Sequence, residues 1–392
     1  MDNVIKRLAE NNFVLPNFKK SNFQIMDDIA NGRTSKLIGD KRNKILMLVD
    51  GFGLNMLDRL QSKNKGAKDT IAKASLDSIT TLFPSATLCV LSSLFSGMLP
   101  SEHGVIGDIL TVKGFGLVNI MNLSRLFDDK DNKIEGLGND MIYPKNYNIQ
   151  RLKASNAIGI FPESIKKFSS GKQILNDLPS IEYQNIENLQ AVMEKVVKSG
   201  KYGNMLVYYG HLDYTEHMHG FLSEESIVEA SKVVKLLEGL RTTVQNSDYN
   251  LVVTADHGHI VVKDQEFKAF GSTSKLARQL ELPPWGNPRT LFLKSKDGKD
   301  ESLERAFEEE FGEYGEIFRS EDMLKAGIFG PVKPTMDKME NFGSHVVVSK
   351  GSYSINYTSG GLYEPWFDRF KGQVGTHGGM TAEEMQVPLI VF

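Results

Sequence analysis

Three short apolar segments of this chain each run into an aspartate. Residues 44–49 (KILMLV) lead to Asp50, 205–209 (MLVYY) lead within a few residues to Asp213, and 251–254 (LVVT) lead to Asp256. One such aspartate means little, because aspartate commonly caps the helix that follows a strand. Histidines sharpen the pattern. Asp213 and His217 are four apart in DYTEH, so on a helical turn they project from one face. Asp256 and His257 are adjacent in TADHGH, and His377 lies in GTHGG just ahead of the final apolar segment. Aspartate and histidine together are ligands for zinc or manganese. A capping aspartate beside a hydrogen-bonded histidine would explain any one pair; three clusters at the ends of core strands are not explained that way.

A further segment, 81–108, supplies hydroxyls. Its middle is an apolar helix that starts after Pro84 and ends near Gly97, which sets Ser85 and Thr87 near the helix N-terminus. Backbone N–H groups and the helix dipole favour an anion there. Either hydroxyl is a helix cap in isolation, and either is a candidate nucleophile beside a metal cluster.

The elements that must position these groups follow from periodicity. Unbroken apolar runs at 44–49, 157–161, 205–209, 251–254 and 387–392 alternate with longer helical patterns. Such runs suit parallel strands covered on both faces, so the expected fold class is α/β, a central mostly parallel sheet flanked by helices. In open sheets of this kind ligands gather beyond the carboxyl ends of the strands, where Asp50, Asp213 and Asp256 would converge. Ser223 with Glu224 and Glu225 opens a helix striped by Ile227, Ala230, Val234, Leu237 and Leu240. A second amphipathic helix is expected over 189–197. From about 262 to 372 the rhythm breaks, with more Gly, Pro and charge, a short helix near 303–311 and candidate strands at 290–293 and 345–348. The expected division is a core of 1–261 plus 373–392 and a smaller inserted α+β subdomain over 262–372.

Composition removes other answers. At 392 residues the chain exceeds what one hydrophobic core usually fills. Its net charge of −3, from 46 basic and 49 acidic residues, gives no reason to expect duplex nucleic acid as partner. The single cysteine, Cys89, excludes intramolecular disulfides and any zinc site built from several thiolates. The N-terminal segment carries Asp2, Lys6, Arg7 and Glu10 with no long apolar stretch after them, so neither signal peptide nor membrane partner is expected and the chain reads as cytoplasmic. Asp50-Gly51-Phe52-Gly53 invites a dinucleotide-binding reading, but Met56 stands where the third glycine is needed. There is no GxxxxGK[ST] loop and no GxSxG elbow.

The segments DGFG, FPSAT with SGMLPSEHG, DYTEH, ADHG and THGG occur in the order found in the alkaline phosphatase superfamily, and they most resemble its nucleotide pyrophosphatase/phosphodiesterase branch. In that branch a Thr follows a Pro by three residues and precedes a Pro-x-x-His-Gly motif. Pro84, Thr87, Pro100, His103 and Gly104 keep that spacing, which selects Thr87 over Ser85. The resemblance implies two divalent metal ions, Zn2+ first and Mn2+ as the alternative. Asp213, His217 and His377 would hold one; Asp50, Asp256 and His257 would hold the other, which also binds Thr87. It further implies hydrolysis of phosphodiester or pyrophosphate bonds in nucleotide-like small molecules, through a covalent phosphothreonine at Thr87 and an in-line double displacement.

Three residues depart from the branch. Asp108 stands where an Asn usually contacts the phosphoryl group, Glu216 replaces a Gly and His259 replaces a Met. An ionised Asp108 would repel a phosphoryl group unless protonated or paired. The rival enzymes on this scaffold are a phosphomonoesterase, a phosphonate hydrolase and a phosphomutase. Metal-dependent phosphoglycerate mutases share DGxG and HGG but use Ser as nucleophile. Sulfatases need Cys-x-Pro-x-Arg, and Cys89 is followed by Val90, Leu91 and Ser92. A non-catalytic metal and nucleotide sensor is the rival from another class. His103 reads as structural and His345 as inert, while Trp285 and Arg289 read as a surface loop or a substrate-facing edge.

Overall fold

The computed structural model describes residues 2–125, 133–169, 171–172, 177–358 and 373–392. Strand Asn43–Val49 is buried from Lys44 onward, and it lies at the middle of a sheet because both its faces are apolar. Among the described residues this sheet has seven strands, in the order Ser75–Thr80, Gln386–Val391, Tyr249–Thr254, Asn43–Val49, Met205–Tyr209, Ile158–Pro162 and Ser180–Tyr183. Asn43–Val49 pairs in parallel with both neighbours, in a register that sets Val49 beside Tyr209 and Leu48 beside Thr254. Three strands therefore end level with one another, and Asp50, Asp213 and Asp256 follow from one edge of the sheet. Gln386–Val391 runs antiparallel to both of its partners.

Two groups of helices flank this sheet. Glu224–Gln245 packs with Ile186–Ser199 and Leu54–Lys63, and Thr87–Ser96 packs with Asn22–Ala30 and Tyr147–Ala154. The first begins as expected: the Ser223 side chain accepts from the Ser226 N–H, and Ile227, Ala230, Val234, Leu237 and Leu240 are buried. Thr87–Ser96 starts at Thr87 and stops at Gly97, whose φ of 74° closes the helix in the left-handed region.

A second sheet, antiparallel throughout its described strands, has the order Gly315–Arg319, His345–Ser349, Thr290–Leu293, Trp285–Asn287, Ile109–Val112, Gly116–Asn119 and Ser124–Arg125. Helix Asp300–Phe311 packs on it through Leu303 and Phe307. This sheet is not built from 262–372 alone, because the strands between 109 and 125 join it where Gly286 pairs with Ile109. The end of the expected insertion, 359–372, lies outside the described residues. The second sheet has its own apolar core, with Trp285, Phe292, Phe329 and Phe342 among its members. No helix among the described residues is long and apolar enough to cross a membrane.

Candidate active site

The carboxyl ends of the three central strands gather the residues singled out from the sequence. Asp50, Asp256 and His257 form one group able to hold an ion, and Asp213, His257, His259 and His377 form another. His257 Nε2 is the point of contact of the first group. It lies 3.4 Å from Asp50 Oδ1, 3.5 Å from Asp256 Oδ2 and 3.0 Å from Thr87 Oγ1. Asp213 Oδ1 is the corresponding point of the second, 2.8 Å from His259 Nε2 and 3.8 Å from His377 Nε2. His217, expected as a ligand there, stands outside that group, with its Nε2 3.4 Å from Asp213 Oδ1. The His257 and His377 rings stack with centroids 3.6 Å apart, which joins the two groups.

Local structure explains why the imidazoles point inward. His217 Nδ1 hydrogen-bonds the Gly375 carbonyl at 2.9 Å, and His377 Nδ1 hydrogen-bonds the Ser85 carbonyl at 2.9 Å. His257 Nδ1 faces the Gly258 carbonyl at 3.3 Å. A carbonyl acceptor keeps the proton on Nδ1 and leaves the Nε2 lone pair facing the cluster, the arrangement that metal-binding histidines use. Asp256 is fixed by the N–H groups of His257 at 3.0 Å and Gly51 at 3.3 Å, both to Oδ1. The Tyr208 hydroxyl donates to Asp50 Oδ2. Asp50 Oδ1 and Asp256 Oδ2, both buried, are left without a hydrogen-bond partner.

The electrostatics are those of buried acidic groups crowded together beside neutral imidazoles. Burial, then the charges of Asp213 and Asp256, push the Asp50 carboxyl well above its usual value. Burial also raises Asp256. It lowers His257 to about 3, and burial together with the neighbouring imidazoles lowers His377. The carboxylates lack a compensating positive charge, and the histidines stay neutral with a lone pair free to donate.

Thr87 is the first residue of its helix and borders a cavity of about 940 Å³ that also meets Asp50, Asp213, His217 and His377. Asp108 is half-buried and borders the same cavity, outside both ion-binding groups. Ser85 is tied away from it. Its hydroxyl donates to the Gly379 carbonyl at 2.8 Å and accepts from the Gly378 N–H at 3.2 Å, so it braces the loop that carries His377. The structure therefore distinguishes two hydroxyls that are alike in sequence.

Other expectations divide. His103 is structural: it is buried, bonded to Ser93 Oγ at 2.7 Å and to the Val105 N–H at 3.0 Å. His345 is buried in the second sheet, 3.2 Å from Glu304. Arg289 is neither on a surface loop nor on a substrate-facing edge. It is fully buried and pairs with Glu384 through Nε to Oε1 at 2.9 Å and Nη2 to Oε2 at 2.8 Å. Glu384 in turn accepts from the Gly379 N–H at 2.8 Å, so the pair supports the His377 loop. Sequence reasoning missed this pair because its members are far apart in the chain. It also missed Tyr208, whose signal was a hydroxyl-bearing ring at the end of an apolar strand.

Residues 44–271, more than half of the chain, match the model of the type I phosphodiesterase / nucleotide pyrophosphatase family. No curated protein matches the chain in sequence. Among solved structures, murine ectonucleotide pyrophosphatase/phosphodiesterase 5 is similar with a TM-score of 0.63 and 16% identity, over 90% of this chain and 88% of its own. An inactive form of that murine protein was solved in complex with AMP. Phosphonoacetate hydrolase from Sinorhizobium meliloti, in complex with phosphonoformate, is similar with a TM-score of 0.64 and 14% identity, over 89% of each chain. At these identities the likeness is one of fold.

Proposed function

Since the chain belongs to the type I phosphodiesterase / nucleotide pyrophosphatase family, whose members are hydrolases of phosphoric esters, we propose that it cleaves phosphodiester or pyrophosphate bonds in nucleotide-like substrates with Thr87 as nucleophile. One observation carries the assignment. Thr87 Oγ1 stands at a helix N-terminus, 3.0 Å from His257 Nε2, which itself meets the unpartnered oxygens of Asp50 and Asp256.

The donor set fits two divalent ions of the zinc or manganese class. Three imidazoles have Nδ1 at a backbone carbonyl and Nε2 turned inward, and two buried carboxylate oxygens lack any other partner. Asp213, His217 and His377 would hold one ion; Asp50, Asp256 and His257 would hold the other beside Thr87. When bound, such ions polarise the phosphoryl oxygens and make a nearby hydroxyl easier to ionise.

The chain's own groups do the remainder. The N-terminus of Thr87–Ser96 turns its free backbone N–H groups and the positive end of its dipole toward an anionic phosphoryl group. Thr87 Oγ1 bonds to phosphorus as the bond to the leaving oxygen breaks; Thr87 gives up its proton and the leaving oxygen gains one. Water then attacks phosphorus from the vacated side, the bond to Thr87 Oγ1 breaks, and the hydroxyl is restored. Two in-line displacements retain configuration at phosphorus. Aromatic and apolar walls, Leu91, Phe95, Tyr143, Tyr183 and Tyr214, suit a flat base, and Lys167 and Lys232 on the same cavity suit additional phosphate charge. Asp108 is assigned to the substrate side of the cavity.

The test compares kcat/KM on p-nitrophenyl thymidine monophosphate, a diester, with p-nitrophenyl phosphate, a monoester, after loading with Zn2+ or Mn2+. The expected diester preference is about 100-fold, roughly 2.7 kcal/mol of transition-state discrimination. Thr87→Ala should abolish turnover while both ions stay bound. A monoester preference would overturn the diesterase reading. Phosphonoacetate belongs in the same comparison, because the fold likeness extends to a phosphonate hydrolase.

A further inference from the structure

Behind the Asp213 group lies a carboxylate for which the phosphoesterase reading has no use. Glu216 is fully buried, one residue before His217, and neither of its carboxylate oxygens has a hydrogen-bond partner. The nearest basic group is His259 Nε2, 3.8 Å from Glu216 Oε2, and that same nitrogen is 2.8 Å from Asp213 Oδ1. His259 is fully buried as well. An isolated carboxylate in such a place costs several kcal/mol to ionise, and the cost disappears only if a cation or a proton accompanies it.

Donor atoms about 2.1 Å from one ion stand roughly 3.0 Å apart around an octahedron and roughly 3.4 Å apart around a tetrahedron. Asp213 Oδ1 lies 2.8, 3.4 and 3.8 Å from the Nε2 atoms of His259, His217 and His377, and Glu216 Oε2 lies 3.8 Å from the first of these. The 2.8 and 3.4 Å separations suit neighbouring donors, and those of 3.8 Å fall between neighbouring octahedral donors and opposite ones, which stand roughly 4.2 Å apart. Glu216 stands just outside the gathered donors Asp213, His257, His259 and His377, so its carboxylate must turn toward the ion to join them. Charge points the same way. Asp50, Asp213 and Asp256 offset three of the four positive charges of two divalent ions, and Glu216 is the fourth carboxylate beside them.

We propose that Glu216 and His259 are additional ligands of the ion on the Asp213 side, giving it two carboxylates and three imidazoles. This rests on the two-ion reading of the site. A donor set of that size and hardness suits a five- or six-coordinate ion such as Mn2+ better than a four-coordinate Zn2+. The Asp50 side, with two carboxylates, one imidazole and Thr87, stays a smaller site.

The test measures metal binding rather than turnover. Glu216→Gln, His259→Met and Asp213→Ala are stripped of metal. Mn2+ and Zn2+ affinities are then measured by competition with a chelating dye, and the visible absorption of the Co2+-loaded proteins is recorded. Glu216→Gln and His259→Met should each weaken Mn2+ at one of the two ions by about 10-fold or more, with a smaller effect on Zn2+. Their Co2+ absorption should grow several-fold as the shell contracts toward four ligands. A Mn2+ to Zn2+ ratio and a Co2+ spectrum like those of the unmodified chain would overturn the proposal, provided that Asp213→Ala loses an ion. If Asp213→Ala also binds both ions unchanged, the two-ion reading itself fails. Glu216→Gln preserves the side-chain shape and carries the test alone if His259→Met does not fold.

Discussion

Replacing Glu384 with Gln should both destabilise the protein and loosen His377, one of its proposed metal ligands. Glu384 and Arg289 are each fully buried and share two hydrogen bonds of 2.8 and 2.9 Å. Removing one partner of such a pair costs about 3–5 kcal/mol, because the other charge is left buried without its counterpart. The low end, about 3 kcal/mol, applies here: the guanidinium still donates to the carbonyls of Gly351 and Tyr353, and Gln retains one acceptor. Urea unfolding at fixed excess metal, followed by far-ultraviolet circular dichroism and by tryptophan fluorescence, measures the loss. The double variant Arg289→Met with Glu384→Gln should lose less than the sum of the single losses, since no charge is stranded. Glu384→Gln costing under about 1 kcal/mol, or additivity within about 0.5 kcal/mol, would refute the reasoning.

The same pair predicts a pH dependence. Burial alone would raise the Glu384 carboxyl, but the Arg289 charge and its hydrogen bonds outweigh burial and hold it below the usual value. A carboxyl that is lowered on folding stabilises the protein above its unfolded pKa of about 4.3, and that stabilisation is lost as pH falls through the lower folded value. The stability gap between the unmodified chain and Glu384→Gln should therefore be flat above about pH 5 and close progressively below about pH 4. The metal effect follows through one loop. Glu384 holds the Gly379 N–H, and Ser85 holds both the Gly379 carbonyl and His377 Nδ1, so slackening here should weaken one ion by about 10-fold.

Three further outcomes are expected. Tyr208→Phe removes the donor to Asp50 Oδ2 and should weaken the adjacent ion by about 10–100-fold in chelator competition while leaving the circular dichroism unchanged. Gly378→Ala should cost at least about 2 kcal/mol in urea unfolding and reduce metal retention, because its φ of 116° disfavours a side chain and a Cβ there would meet the Asn287 side chain at 2.4 Å. Cys89 is fully buried and burial raises its thiol, so a thiol reagent should label the native protein only as fast as it unfolds, and at once in denaturant.

The parts of this structure that were legible in the sequence are those whose environment is uniform along the chain. Tyr249–Thr254 is buried at every residue, and a strand covered on both faces must be apolar throughout. Edge strands do not have that signature. Ser75–Thr80 is exposed at Ser75 and Leu76 and fully buried only at Ile79, and Ser180–Tyr183 is buried only at Tyr183, so neither reads as a strand. The second sheet was hidden for a different reason: Gly286 meets Ile109 across more than 170 residues, and no local pattern encodes that pairing. The site was legible because a strand end and an Asp or His beside it are local features. Its supports were not, since Arg289 is oriented by a carboxylate 95 residues away, and a buried Arg has no sequence signature of its own.

The topology gives a physical reason for the order of these parts. Asp50, Asp213 and Asp256 arrive from three parallel strands of one sheet, so folding that sheet alone gathers mutually repelling carboxylates at its edge. His377 comes from elsewhere, on a loop ahead of the antiparallel strand Gln386–Val391. That loop is held by Glu384 on Arg289, between strands Trp285–Asn287 and Thr290–Leu293, and by Thr290 Oγ1 donating to the Gly378 carbonyl at 2.7 Å. The proposed ligand set would be complete only when both sheets have folded and docked. Because a cation favours the state that holds all its donors over any that holds some of them, metal bound at the proposed site should add directly to the stability of the junction. The carboxylates that are costly to bury together are thus the same groups through which an ion at the proposed site would tie the two sheets together.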